Sequence, residues 1–405
     1  MSSPEVSQPP PGNAWVLWTI PAVYFVFVAA EFAAMTQMAL SLTEAGRPAF
    51  DVGLLATALW AGILLSSGAA TRVIAQQGHA RVFVVATAGA TLALATLALH
   101  EHDAGWLAGA FVLGLGGGLV WVAGEAWLAE AAPRDRRGFF VGLFETAVGL
   151  GLMAGPAIVS LMAWTGGSTL VLSVALMLLA LGASVTLLRH RAPSDEGVPD
   201  AQGRAVGRRA ALVSLALPLV GVSVLSGLME SGVSALLPSV SMRLGFDLET
   251  AALLGTVIGA GSALLQPPAG HLADRWGTRR VTLGAWAVVL AANLLLLSVA
   301  RDPGAVLWGV GFALGGVGGA VYTLMVIELG HRLAGSALVR AVALLVTSYS
   351  VGTALGPMLG GWMFDRHGLT GLAATLSALS LLGLAVTAGM LKPLPGTRVP
   401  AGPRA

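Results

Sequence analysis

Apolar stretches long enough to cross a lipid bilayer recur along this chain, and they constrain its fold more than any other feature. A helix needs about 20 mostly apolar residues to span roughly 30 Å of hydrocarbon. Windows of that length fall at 15–41, 52–75, 82–99, 105–129, 139–163, 169–188, 211–237, 250–269, 281–300, 305–329, 337–363 and 370–391. The expected fold is therefore an all-α membrane protein with twelve transmembrane helices. The first window is too long, and too free of preceding basic residues, for a cleavable leader.

Composition agrees. Of 405 residues, 56% are hydrophobic and 10% charged, whereas a soluble domain carries about 25% charged residues. A soluble chain this poor in charge would expose large apolar patches. An ordinary cytosolic enzyme and a disordered protein are both excluded. Cysteine is absent, which removes disulfides, thiolate metal sites and cysteine nucleophiles.

The basic residues set the orientation, because cytoplasmic segments collect Lys and Arg. With the N-terminus cytoplasmic, the inner segments hold Arg72, Arg81, Arg134, Arg136, Arg137, Arg189, Arg191, Arg204, Arg208, Arg209, Arg275, Arg279, Arg280, Arg332, Arg340, Lys392, Arg398 and Arg404. The outer segments hold only Arg47, Arg243, Arg301 and Arg366. Omitting one span would scramble this bias, so it supports the count and places both termini in the cytoplasm. It also accounts for the basic balance without nucleic acid.

The longest connection is polar, charged and rich in Pro and Gly. It reads as a cytoplasmic linker, 191–209, between bundles 1–190 and 210–405. The bundles look duplicated. A shift of 199 residues places Glu31 on Glu230, Gly62 on Gly261 and Gly78 on Gly277. A shift of 201 places Phe111 on Phe312, Trp121 on Tyr322, Thr146 on Thr347, Gly151 on Gly352 and Gly155-Pro156 on Gly356-Pro357. Parallel repeats of this kind put a substrate site near the bilayer midplane, between the halves.

Several segments carry a resemblance. Gly270-His-Leu272-Ala273-Asp274-Arg275-Trp-Gly277-Thr-Arg279-Arg280, between the eighth and ninth spans, is similar to the G-x-L-A-D-R-x-G-R-R loop of the major facilitator superfamily. Gly142, Gly151, Gly155 and Pro156 in the fifth span resemble that family's antiporter signature, with Val159-Ser160 in place of the trailing Gly pair. The resemblance covers nearly the whole chain; the fifth-span pattern resembles a drug/proton-antiporter-like branch, and Trp121, Glu125 and Glu328 resemble a YcaD-like one. It implies two six-helix bundles, alternating access, and a cytoplasmic gate motif at Gly270, Asp274, Arg275, Gly277, Arg279 and Arg280. Two departures stand out. The first-half loop keeps only Gly78 and Arg81, with Thr71 at the position of Gly270 and Ala75 at that of Asp274. The arginine common in the fourth span of drug/proton antiporters is replaced by Ala110.

Charged groups at the centre of a membrane helix cost about 2.5–3.5 kcal/mol on insertion scales, so they are read as functional. Glu31, Glu125, Glu230 and Glu328 place one acid on each of the first, fourth, seventh and tenth spans, which line the cavity in the resembled family. Glu145 is a fifth, nearer the cytoplasmic end of its span. A carboxyl group in an apolar cavity can hold a proton and release it when the cavity wets. These acids are therefore expected to couple protons or bind substrate. Phe32, Trp121 and Tyr322 are expected cavity aromatics, with Tyr24, Trp127 and Tyr349 as further candidates for an apolar or cationic ligand.

The histidines fall in loops or at helix ends; His100 and His102, flanking Glu101, read as a solvated turn rather than a metal site. Gly114–Gly118 lies inside an apolar helix and lacks the Gly-Lys-Ser/Thr of a phosphate loop. No enzymatic triad, metal or cofactor is expected. The sequence thus points to a monomeric carrier in a bacterial inner membrane, moving a small molecule and protons. Proton-coupled export of a small amphiphilic or cationic compound is favoured. The rivals are an importer or facilitator of a nutrient, metabolite or metal, and a non-transporting sensor or assembly factor on a transporter scaffold.

Overall fold

A computed structural model describes residues 11–99, 103–132, 137–190, 206–299, 304–332 and 335–390. Arg134, Arg136, Arg191, Arg204, Arg301, Lys392, Arg398, Arg404 and the His100–His102 turn lie outside the described residues. So does 191–205 of the expected linker; its remainder, from Val206, is already helical.

The described residues form eleven α-helices: α1 (Pro11–Glu44), α2 (Ala49–Gln77), α3 (His79–Leu99), α4 (Asp103–Ala131), α5 (Arg137–Thr165), α6 (Thr169–Val185), α7 (Val206–Arg243), α8 (Leu248–Trp276), α9 (Thr278–Val299), α10 (Gly304–Arg332) and α11 (Gly335–Met390). A short 3-10 turn, Thr186–Arg189, follows α6. In hydrocarbon every backbone N–H and C=O must be paired within the chain, which favours helices. Each of the eleven is long and apolar enough to cross a membrane.

The expected spans 337–363 and 370–391 both lie in the 56-residue stretch α11, where two helices run together across a kink, so eleven helices stand among the described residues where twelve were expected. The two meet at Gly368, whose φ of 60° and ψ of −155° are not helical. At 1.5 Å per residue a straight helix of this length would reach about 84 Å, far beyond a bilayer.

Backbone geometry repeats between the halves. Positive φ occurs only at glycines among the described residues, in pairs about 200 residues apart: Gly46 (70°) with Gly245 (98°), Gly78 (80°) with Gly277 (84°), and Gly166 (70°) with Gly368 (60°). The first pair forms the α1–α2 and α7–α8 turns, the second the α2–α3 and α8–α9 turns. Gly166 is the turn from α5 to α6, so the α11 kink occupies the matching place. A side chain in this left-handed region is strained, hence glycine.

Close helix approaches repeat as well. A Cβ on Gly62 of α2 would meet the Phe111 carbonyl of α4, and one on Gly261 of α8 would meet the Phe312 carbonyl of α10. Likewise Gly114 abuts the Leu59 carbonyl and Gly315 the Ile258 carbonyl. Small residues let membrane helices pack at backbone distance, where dispersion contacts are densest. Helices α1–α6 pack chiefly among themselves, as do α7–α11; two main seams, α2 on α11 and α5 on α8, join the sets.

Candidate functional site

Of the glycine and proline positions singled out in the sequence, Pro156 and Pro357 lie at the seams, where further glycines meet them. In α5, Gly151 seats against Val28 and Gly155 against Phe32 and Ala33 of α1. Pro156 faces the other way and touches Gly255 of α8, while Gly259 packs on the α5 backbone at Leu152 and Met153. In the second seam, Gly53 of α2 abuts the Pro357 carbonyl of α11, and Gly361 abuts the Ala49 carbonyl. Gly142 lies in α5, with its surroundings outside the described residues.

Polar bonds pin the second seam. Asp365 of α11 accepts from the backbone N–H of Ala49 (2.7 Å) and of Phe50 (2.8 Å), the first N–H groups of α2. α2 has no side-chain cap of its own, because its N-cap position is Pro48. Its repeat mate α8 is capped locally: Asp247 accepts from Thr250 N–H at 2.8 Å. The Arg243 guanidinium donates to the Arg47 carbonyl, again between the two helix sets. Arg47 pairs with Asp51 at 3.5 Å.

Beneath these contacts lies a cavity of about 140 Å³. Its α1–α6 wall is Phe32, Met35, Thr36, Ala39, Leu40, Val52, Leu55, Ala56, Leu59, Trp60, Leu152 and Pro156; its α7–α11 wall is Glu230, Ser231, Ser234, Ala235, Pro238, Gly255, Ile258, Gly259, Ser262, Gly315, Tyr349 and Thr353. Glu230 is the one charged residue of the lining among the described residues. Its Oε2 accepts from the Tyr349 hydroxyl at 2.9 Å, and the Tyr349 ring leans on Tyr322 with centroids 4.6 Å apart. Its Oε1 points toward Gly319 of α10, near Gln266 Nε2 and Ser262 Oγ. Gln266 donates to Ser262 (2.8 Å) and accepts from Thr323 (3.2 Å).

Glu31, the repeat mate of Glu230, sits differently. It is 3% exposed and does not line the cavity. Among the described residues its Oε1 has no hydrogen-bond partner, and it faces Gly117 of α4, where a Cβ would lie 2.8 Å away. A buried carboxylate without a donor is costly, so the neutral acid is the form that fits.

The remaining acids spread out. Glu125 is half-buried within hydrogen-bonding reach of Trp121, one turn before it, and close enough to Glu145 and Tyr322 to act on both electrostatically. Glu145 is exposed. Glu328 joins Arg279 and Arg280 around a surface depression at Trp276–Leu283. Of the expected aromatics, Phe32 lines the cavity, whereas Tyr322 stands behind Tyr349 and Trp121 beside Glu125. Tyr24 stacks on Phe144, 4.6 Å between centroids, and Trp127 is buried.

In the gate motif, Gly277 ends α8 and its N–H returns to the Ala273 carbonyl. Arg279 donates to the Ala388 carbonyl at 2.9 Å, tying α9 to the end of α11. Arg275 and Arg280 are exposed, and Gly270 packs against Ile327. The side chains of Asp274 and Arg340 lie outside the described residues. No group of three or more His, Asp or Glu among the described residues is placed to hold a metal.

Sequence reasoning missed Asp365, Gln266, Ser262, Gly117 and Gly319. Gln266 offered a signal, an amide inside an otherwise apolar span. The two glycines were hidden in runs that read as packing.

Known proteins match this arrangement. The family model described as Major Facilitator Superfamily matches residues 22–251 and again 219–404. YfkF of Bacillus subtilis (strain 168), named an uncharacterized MFS-type transporter, is 25% identical over 354 residues, 86% of this chain and 88% of the relative. YcaD of Salmonella enteritidis PT4 (strain P125109), named likewise, is 23% identical over 368 residues, 87% of this chain and 91% of the relative. Among solved structures, the D-xylose-proton symporter superposes with a TM-score of 0.75 at 14% identity, covering 94% of this chain and 97% of that one. The nucleoside transporter NupG gives 0.71 at 11% identity, covering 93% and 98%. A bacterial homologue of the human lysosomal transporter Spinster, inward-facing and occupied, gives 0.70 at 16% identity, covering 95% and 97%. These relatives and neighbours are membrane transporters, not enzymes.

Proposed function

The chain belongs to the Major Facilitator Superfamily, and on that premise we propose that it exports a small amphiphilic or cationic compound in exchange for protons. The observation that carries this reading is the cavity enclosed between the two helix sets, with Glu230 in its wall and no basic side chain in its lining. Units 1–190 and 210–405 rock about it, and the linker 191–209 lets them move. The Gly166–Gly368 correspondence supports counting α11 as two crossings, twelve in all.

The distribution of Arg and Lys supports both termini being cytoplasmic, and the bacterial relatives support placing the carrier, a monomer in this reading, in a bacterial inner membrane. The pinned α2–α11 seam is then the outer side, and the α8–α9 loop the inner. Glu31 carries the proton, since a buried acid lacking a donor exchanges its proton only when the bundle opens to water. Glu125 and Glu145 relay it toward the inner side. The glycine/proline pattern of α5 supports exchange rather than uniport.

The test is proton movement in proteoliposomes under an imposed pH gradient, read with an internal pH dye while a chemically mixed solute library is added outside. Cationic amphiphiles are expected to elicit protein-dependent proton flux, and Glu31→Gln to abolish that flux while leaving solute counterflow. Proton-independent flux, or flux selective for sugars or anions, would replace the exporter with a facilitator.

A further inference from the structure

We propose that the cavity is a two-faced site for a monocation that pairs one N–H donor with an apolar flank, an aryl-alkyl primary or secondary ammonium being the simplest example. This rests on the transporter reading and narrows its substrate class.

The two walls differ in kind. The α1–α6 wall is apolar apart from Thr36 and the Trp60 indole: Phe32, Met35, Leu55, Leu59 and Pro156 present hydrocarbon, sulfur and aromatic surface. The α7–α11 wall carries the carboxylate and nearly all the hydroxyls, from Glu230, Ser231, Ser234, Ser262, Tyr349 and Thr353. A solute polar all round would leave the first wall unsatisfied, and one apolar all round would strand the Glu230 carboxylate on the second, where the Ser231, Ser234 and Thr353 hydroxyls already donate to backbone carbonyls. A molecule with one face of each kind satisfies both.

The head group follows from Glu230. One of its oxygens is taken by the Tyr349 hydroxyl. The other receives no donor among the described residues and lies against Gly319, where the packing is close: a Cβ there would be 3.0 Å from it, 3.0 Å from Gln266 Nε2 and 3.3 Å from Ser262 Oγ. The Gln266–Ser262 and Thr323–Gln266 bonds fix those neighbours. A single free carboxylate oxygen fits one N–H donor, not the paired donors of a guanidinium. One acid and no base in the lining fit one positive charge. A quaternary ammonium brings the charge but leaves the oxygen without a hydrogen bond. The cavity has room for roughly ten water-sized spheres at ~10–15 Å³ each, which admits a small aromatic amine and excludes bulky multi-ring cations.

The test uses the full-length protein in detergent and four probes: phenethylammonium, its N,N,N-trimethyl counterpart, phenylacetate and D-glucose. Saturable thermal stabilisation is the readout. Phenethylammonium is expected to stabilise, the trimethyl probe to bind on the order of tenfold more weakly or worse, and the other two to have no effect. Glu230→Gln should abolish the phenethylammonium response. Gly319→Ala, which fills the space beside the free oxygen, should weaken it even if the Gln variant does not fold. Equal binding of the two ammonium probes, stabilisation by phenylacetate or glucose, an undiminished response in the variants, or no response to phenethylammonium would each overturn the proposal. Solute-driven proton flux in proteoliposomes would survive that failure, and its absence would instead sink the reading of proton-coupled export.

Discussion

Removing Asp365 should open the cavity on the α2–α11 side without unfolding either half. Its carboxylate accepts the first two N–H groups of α2 at 2.7 and 2.8 Å. α2 cannot replace that cap, because Pro48 stands where Asp247 caps α8. The cap exists only while α11 and α2 are together. Hydrogen bonds to charged groups contribute about 1.5–3 kcal/mol when buried. Asp365 is exposed and water takes its place on opening, so the lower range of helix caps applies, about 1–2 kcal/mol. Asp365→Ala should therefore raise the population open on this side by a factor of about 5–30. The chain has no cysteine, so a single Thr36→Cys in the cavity wall reports access without background. A membrane-impermeant maleimide added on the side of the α1–α2 turn should label it about 5–30 times faster in the Asp365→Ala background, the same population factor carried into a rate. A second substitution separates latch from cap. Pro48 has φ −55° and ψ 149°, near the −72° and 168° of Asp247, so Pro48→Asp can cap α2 within its own half. In the double variant thermal stability should recover while labelling stays fast. Unchanged labelling in Asp365→Ala, or slow labelling restored by Pro48→Asp, would refute the reasoning.

Three further outcomes follow from the same geometry. Gly62→Ala should cost about 1–3 kcal/mol of stability, because its Cβ meets the Phe111 carbonyl inside one half; Gly53→Ala meets Pro357 across the seam and should speed Thr36→Cys labelling with a smaller loss in thermal unfolding. Gly117→Ala should leave stability nearly intact, since the atom displaced is the mobile end of Glu31, yet shift the pH profile of proton flux; an unaltered profile would count against Glu31 as the proton carrier. The Thr250 hydroxyl and backbone N–H hold the Asp247 carboxyl below its usual range. A depressed folded value stabilises above the unfolded pKa of about 3.9 and is lost as pH falls below it. The stability gap between wild type and Asp247→Ala should thus be flat from pH 5 to 8, about 1 kcal/mol as for a helix cap, and should close in acid.

The helices, their duplication and the turn glycines were legible because each is a local matter of hydropathy or backbone freedom. Gly277 announces a turn whatever surrounds it. How closely the two helices of α11 abut was not legible, because a break in hydropathy at 364–369 is satisfied equally by a loop and by a kink at one glycine. The acids show a sharper limit. Glu31 and Glu230 align in the repeat, and the sequence treats them alike. Their difference comes from what other helices bring to them: a bare glycine from α4 in one case, a tyrosine from α11 and a glycine from α10 in the other. No spacing along α1 or α7 encodes that. Asp365 is the extreme case, since its partners lie 316 residues away and its neighbours in sequence suggest only a charged turn. Duplication makes such divergence possible. Once Asp247 caps α8 within its own half and Asp365 caps α2 from the other, the two halves are no longer equivalent. Closing one side would then strengthen a helix that opening it weakens.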